Sequence, residues 1–196
     1  MKPGGWLLCC ALAAAAPGAA QAVDAQPGAG LDQLLQLLAA RRHGHVTFSE
    51  VQQLAVLDRP LQSSGELVYD APDHLEKRTL QPRPETLILE RGVLTVQRGA
   101  RKRVLSLRDY PQIVPFVESI RATLAGDRAS LERYFTVSFS GSLDQWTLEL
   151  VPADAQLAHT VRDIRIAGER DELHTMEIRQ TDGDASTLTI GAALNP

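Results

Sequence analysis

Residues 65–107 constrain the fold more than any other stretch: GELVYDAPDHLEKRTLQPRPETLILERGVLTVQRGARKRVLSL. Short apolar-rich runs are broken at even intervals by Ala71-Pro72, Pro82-Arg83-Pro84, Arg91-Gly92 and Arg98-Gly99. That punctuation predicts an antiparallel meander, with strands over 65–69, 75–80, 86–90, 93–97 and 103–107 joined by tight turns. A meander of this kind makes a curved sheet. It carries no catalytic motif, so its use is expected to lie in what the concave face can hold.

The flanking segments extend the same pattern. Leu31, Leu34, Leu35 and Leu38 recur at helical spacing, which predicts an amphipathic helix over 31–42 with Asp32 near its start and Arg41-Arg42 near its end. Residues 46–57 alternate around Val46, Phe48 and Leu54, with Glu50, Gln52 and Gln53 interrupting, and read as a long strand with one wet face. A second helix is expected over 111–124, where Pro111 suits the first turn and Ile113, Val114, Phe116, Val117, Ile120 and Leu124 form a wide apolar face. Gly126 closes it, and a short helical turn over 130–134 follows. Period-two patterning then returns at 135–140, 145–151, 160–166, 173–181 and 186–190. The connections are Gly141-Ser142, a looser loop over 152–158, Gly168-Glu169 and Asp182-Gly183-Asp184, the last two being hairpin turns. The predicted class is mainly β (α+β): a strongly curved, unclosed antiparallel half-barrel of about ten to eleven strands under a helical lid.

The first 22 residues read as a secretory signal, with Lys2 in front of an apolar run and Ala20-Gln21-Ala22 as the small-x-small cleavage pattern. The run is too short to span a membrane. Both cysteines, Cys9 and Cys10, fall inside it, and Leu8 rather than a small residue precedes them, against a lipidated cysteine. The mature chain is therefore expected to be secreted and soluble, without thiol or disulfide chemistry. Residues 23–30 form a Pro/Gly/Ala spacer, and 31–196 is of a length for one domain. A formal charge of −4 argues against nucleic-acid binding, and an aromatic content of 5% argues against a stacking platform. The expected state is a monomer that does not span the membrane.

Candidate chemistry is sparse. His43 and His45 stand two apart without other ligands at metal-site spacing, and Phe139-Ser140-Gly141-Ser142 lacks the flanking glycine pattern of an activated serine. The reading is against an enzyme, a metal or a cofactor. Arg98, Arg101, Lys102 and Arg103 cluster on a predicted hairpin tip, either as charges that keep the edge soluble or as a docking point for an acidic partner or lipid head groups. The apolar positions carry more. Alternation places Phe48, Leu67, Tyr69, Leu75, Leu87, Leu89, Leu105, Leu107, Trp146, Leu148, Leu150, Ile164, Met176 and Ile178 on one face, beneath Val114, Val117 and Ile120 of the second helix. Two readings stay open: a packed core, or a cavity that admits acyl chains.

The order of these segments resembles the periplasmic outer-membrane lipoprotein carriers, the LolA-like family. Val46-Thr47-Phe48-Ser49-Glu50 is similar to that family's first strand. Gly65-Glu66-Leu67-Val68-Tyr69, Pro72, Gln81-Pro82 and Leu87-Ile88-Leu89 followed by Gly92 resemble its sheet. Trp146-Thr147-Leu148-Glu149-Leu150-Val151-Pro152 resembles the strand after the lid helix. The resemblance implies a half-barrel that takes acyl chains of lipoproteins or other lipids from an inner-membrane transporter and delivers them to an outer-membrane acceptor, without catalysis. The family pattern has an Arg before the strand's Pro, where this chain has Ala71, and an aromatic pair where this chain has Leu75 and Lys77. These departures imply a divergent relative, and an inward Lys77 would suit an anionic head group. The same resemblance leaves room for an accessory lipid- or glycolipid-binding protein of an export system, or a lipid-sensing module.

Overall fold

The computed structural model describes residues 28–111 and 113–194, so the expected signal segment and most of the spacer lie outside the described residues. Eleven strands follow a first helix, α1 (Ala29–Ala40). They are β1 (His43–Gln53), β2 (Leu61–Asp70), β3 (His74–Gln81), β4 (Glu85–Glu90), β5 (Val93–Arg98), β6 (Arg101–Ser106), β7 (Phe135–Ser142), β8 (Gln145–Pro152), β9 (Val161–Glu169), β10 (Glu172–Gln180) and β11 (Ala185–Ala193). Between β6 and β7 the chain makes a 3-10 turn (Leu107–Asp109) and the helices α2 (Val114–Ala125) and α3 (Arg128–Tyr134); a one-turn helix, α4 (Ala155–Ala158), lies between β8 and β9.

All eleven strands belong to one antiparallel sheet in the order β6-β5-β4-β3-β2-β1-β11-β10-β9-β8-β7. Strand β1 is thus the seam, pairing with β2 on one side and β11 on the other. Strands β2 to β6 extend from it in one direction and β11 to β7 in the other. The outermost strands β6 and β7 remain unpaired with each other, and the chain crosses between them through the helices. The result is an unclosed half-barrel with a helical lid, the architecture read from the sequence.

Several boundaries differ for physical reasons. The strand expected over 65–69 starts earlier, with Ser63 and Ser64 inside β2, because β2 needs this length to match the seam strand from Gln52 to His43. Gly65 sits opposite Phe48, and a Cβ on it would lie 1.9 Å from the Arg78 carbonyl oxygen. The adjacent strand shifts register between Ser64 and Gly65, so glycine is required for that approach. The hairpins at the far side turn later than expected: β7 runs through Gly141-Ser142 and β9 through Gly168-Glu169, and the reversal after β9 falls at Arg170, in the left-handed region with φ of 50°. The loop over 152–158 contains α4, whose first turn is capped by the Asp154 carboxylate accepting from the Leu157 amide at 2.9 Å. The strand expected over 46–57 starts earlier, at His43, and stops at Gln53.

The core lies off-centre. Leu31, Leu34, Leu35 and Leu38 of α1 pack with Phe135, Trp146, Leu148, Leu150, Ile164 and Ile166 in one continuous cluster. This seals the inner face of β7, β8 and β9. Trp146 fits because the facing residue is Gly168, where a Cβ would lie 2.5 Å from the indole, and its Nε1 donates to the Arg170 carbonyl at 2.9 Å.

Candidate functional site

The second helix divides its surface in a way hydrophobicity alone does not predict. The residues of α2 that are buried are Pro115, Ser119, Ala122 and Thr123, rather than the large aliphatics. Ser119 Oγ donates to the Phe116 carbonyl and Thr123 Oγ1 to the Ser119 carbonyl, so both hydroxyls are satisfied within the helix. Small side chains on this ridge lead to Gly126, where a Cβ would lie 2.3 Å from the Leu35 carbonyl oxygen and 2.8 Å from Ala39 Cβ of α1. The close approach of α2 to α1 is therefore made by small residues. Val117, Ile120 and Leu124, one helical stripe further round, are left half-buried over the open half of the sheet.

Beneath that stripe lies a cavity of about 440 Å³. Its floor is the inner face of β2, β3, β4, β1, β11 and β10, through Leu67, Tyr69, Leu75, Leu87, Leu89, Val46, Leu188, Ile190, Met176 and Ile178, with Leu94 of β5. Strand register makes this floor continuous: Tyr69 faces Leu75, Leu75 faces Leu89, Leu89 faces Leu94, and Met176 faces Leu188. Opposed residues of an antiparallel pair share a face, so one apolar surface crosses the seam.

The sequence-derived residues separate into two sets. Leu67, Tyr69, Leu75, Leu87, Leu89, Val117, Ile120, Met176 and Ile178 border the cavity, as does Lys77. Trp146, Leu148, Leu150 and Ile164 are instead packed under α1 in the core. Phe48 is buried on the seam, Leu107 is buried in the 3-10 turn, and Leu105 is half-buried on β6. Val114 borders a separate polar hollow with Asp73, Arg91, Glu118, Arg121 and Arg133. Arg98 pairs with Glu85 across the strands, while Arg101, Lys102 and Arg103 are exposed on the edge strand β6. His43 and His45 lie beside Asp70 and Glu66 at 2.7 and 3.1 Å.

Glu50, which read as part of a wet strand face, is the polar site residue that sequence reasoning missed, beside the apolar wall residues Val46, Leu94, Leu188 and Ile190. It shares the inner face with Val46 and Phe48 and is buried. Its carboxylate accepts from Lys77 Nζ at 2.5 Å, Ser63 Oγ at 3.0 Å and Ser186 Oγ at 3.0 Å. Burial pushes this carboxyl up, but the bond and charge of Lys77, with the Ser186 hydroxyl, outweigh it and hold the group below the ordinary carboxylate value. Lys77 Nζ also lies 4.9 Å from the Phe48 ring centroid. Lys77 thus faces inward, and its charge is met by the protein's own carboxylate. At another part of the wall, Arg41 at the end of α1 donates to Asp171 at 2.9 Å and Glu172 at 3.0 Å in the β9–β10 connection.

An open single-sheet half-barrel, sealed by one helix and roofed loosely by another over an apolar cavity, defines a binding fold. The chain belongs to the family described as outer membrane lipoprotein carrier protein LolA-like, whose match covers residues 14–196. Solved structures are similar to it at low identity. A LolA superfamily protein from Nitrosomonas europaea is 11% identical, with 85% of this chain and 92% of that chain covered and a TM-score of 0.43. A DUF1329 family protein from Desulfovibrio piger is 10% identical, with 84% and 91% covered and a TM-score of 0.48. A chain of the Pseudomonas aeruginosa MucA/MucB complex is 12% identical, with 84% and 56% covered and a TM-score of 0.46. Comparison with curated proteins gave no significant match. No helix among the described residues is long and apolar enough to cross a membrane.

Proposed function

We propose that this protein is a periplasmic carrier that encloses an acyl chain of a lipoprotein or other lipid beneath α2 and passes it toward the outer membrane. The observation that carries this reading is the stripe Val117, Ile120 and Leu124, held half-buried above an apolar floor while smaller residues of the same helix are buried. A helix that only covered a core would bury its largest aliphatics first. Family membership agrees with a carrier, and the partners this reading proposes are an inner-membrane transporter as donor and an outer-membrane acceptor.

The size of the cavity sets a scale. At roughly 30 Å³ for each water-sized group, a volume of about 440 Å³ is on the order of fifteen methylenes, or one acyl chain. Enclosing that chain is worth about 0.8 kcal/mol per CH₂, roughly 12 kcal/mol before the costs of association. Net affinity is then well below the ceiling for non-covalent binding, as release to an acceptor requires.

The test is native mass spectrometry of protein purified from the periplasm, followed by lipid extraction. Wild-type protein should carry an acyl species, and Leu94→Glu, which sets a charge on the half-buried wall opposite Leu89, should lose most of it with the fold intact by circular dichroism. Wild-type protein that neither retains an acyl species nor takes up an added one would refute the carrier reading.

A further inference from the structure

The sheet ends at β6 in an edge that no strand among the described residues covers. The β5–β6 hairpin turns through two residues, Gly99 and Ala100, so Arg98 and Arg101 are a hydrogen-bonded pair. Bonding alternates along an antiparallel ladder. Arg103 and Leu105 therefore also bond to β5, and the N–H and C=O groups of Lys102, Val104 and Ser106 face away from the sheet. The Leu107 amide, which donates to the Gly92 carbonyl at 2.9 Å, continues the same alternation. Residues 101–104 are exposed.

Basic side chains stand on both faces of this edge. Leu105 is opposite Leu94, which borders the cavity, so Arg101 and Arg103 lie on the concave face with Leu105, and Lys102 and Val104 on the outer one. Arg98 is committed to Glu85, whereas Arg101, Lys102 and Arg103 meet no carboxylate among the described residues. Three uncompensated cations thus flank a row of outward backbone donors and acceptors.

That combination selects the occupant. A phosphate head group offers acceptors to the cations and the N–H groups, but nothing to the outward carbonyls. An extended polypeptide supplies donors and acceptors alternately, at the strand's own repeat. A second copy of this chain fits poorly: pairing two β6 edges sets like charges together, and β7, the other end of the sheet, carries no charged residue to offer. We propose that β6 is a docking strand for an extended acidic segment of a partner protein, which adds antiparallel to the end of the sheet. Its carboxylates fall opposite Arg101, Lys102 and Arg103, and its apolar side chains opposite Leu105 and Val104, which is 60% exposed. This interface stands or falls independently of acyl binding under α2.

The probe is a fluorescein-labelled, end-blocked peptide with the core Thr-Leu-Val-Glu-Glu-Glu, which in antiparallel register runs from Ser106 to Arg101, with binding read by fluorescence polarisation. Replacing its three Glu by Gln should weaken binding roughly tenfold, within the range for three exposed ion pairs. N-methylation of the Val and of the Glu opposite Lys102 removes donors aimed at β6 and should abolish binding. N-methylation of the Leu and of the Glu opposite Arg103, whose amides point away from β6, should leave it unchanged. Val104→Pro removes an outward N–H and none that β5 uses, so the variant should fold as the wild type by circular dichroism and lose the peptide. The two methylated peptides are compared on wild-type protein, so the inference is tested even if that variant folds poorly. Equal binding of those two peptides, or no binding of the parent peptide, would overturn strand addition. Binding of phosphatidylglycerol vesicles in place of the peptide would make the edge a membrane-surface contact, and concentration-dependent dimers in place of peptide binding would make it a self-contact; either outcome displaces the proposal.

Discussion

Replacing Lys77 by Met separates packing from charge at the cavity wall. The aliphatic stem over Phe48 is kept, but the Glu50 carboxylate loses its cation and retains only the Ser63 and Ser186 hydroxyls. Removing one partner of a buried pair costs about 3–5 kcal/mol. The Lys77 and Glu50 side chains are 24% and 10% exposed, so the lower end, about 3 kcal/mol at pH 7, is the expected loss. For a domain of this size that corresponds to a fall in Tm of roughly 6–12 °C. The double variant Glu50→Gln with Lys77→Met leaves no charge to compensate and should recover most of the loss.

The pH dependence gives a second check on the same pair. In the wild type the Glu50 value is depressed, so its contribution is present above the ordinary carboxylate value and is lost as pH falls through the depressed one. In Lys77→Met burial dominates and raises the group, so acidification neutralises the unpaired charge and the gap between variant and wild type narrows. Urea unfolding at pH 7 and near pH 4.5, followed by Trp146 fluorescence, reads both effects. A Lys77→Met loss under about 0.5 kcal/mol, or a double variant no better than the single one, would refute a buried pair with this role.

Other perturbations address the remaining parts of the molecule. Trp146→Ala empties the centre of the sealed half and removes the indole bond to the Arg170 carbonyl, so it should lose about 3–5 kcal/mol in chemical denaturation, read by circular dichroism. Asp127 caps α3 by accepting from the Ser130 amide at 3.0 Å and also meets Arg121 at 3.1 Å. Asp127→Ala should cost about 1 kcal/mol. The Ser130 side chain first, then its amide and Arg121, hold the Asp127 carboxyl below the ordinary value against the effect of burial, so this difference should shrink as pH falls through that value. Replacing Arg101, Lys102 and Arg103 together by Thr leaves the exposed edge strand β6 uncharged beside Val104, which is 60% exposed. Light scattering should then show concentration-dependent association absent from the wild type, because an unpaired edge loses the charges that discourage pairing.

The meander was legible because its turns are written in proline and glycine, and because alternation assigns each strand a face without knowledge of its neighbours. What alternation does not say is which stretch of that face receives a helix. Leu148 and Leu150 obey the same pattern as Leu87 and Leu89, yet the first pair is packed under α1 and the second borders the cavity. Glu50 was illegible for a related reason. A carboxylate among polar neighbours reads as solvated, and only the register that sets Ser63 and Leu188 against it, and brings Lys77 in from two strands away, places it inside. The second helix misled in the opposite sense. Val117, Ile120 and Leu124 of its apolar face border the cavity and Val114 does not, while Ser119 and Thr123 take the deeper positions, since their hydroxyls bond to carbonyls of their own helix.

The two helices therefore carry different tasks with similar hydrophobicity. Four leucines of α1 sit at 4% exposure or less, which makes that helix part of the core and anchors it to β7, β8 and β9. The second helix is attached to the first through small residues, and its aliphatics lie over a volume the protein does not fill. Displacing α2 from the sheet would expose Val117, Ile120 and Leu124, which are only half-buried, and would withdraw Ala122 from the core cluster while leaving the α1 leucines packed on β7, β8 and β9. Opening of the cavity can thus be uncoupled from unfolding of the domain. The stable half supplies the folding energy, and on the proposed carrier reading the loosely roofed half is where cargo would exchange.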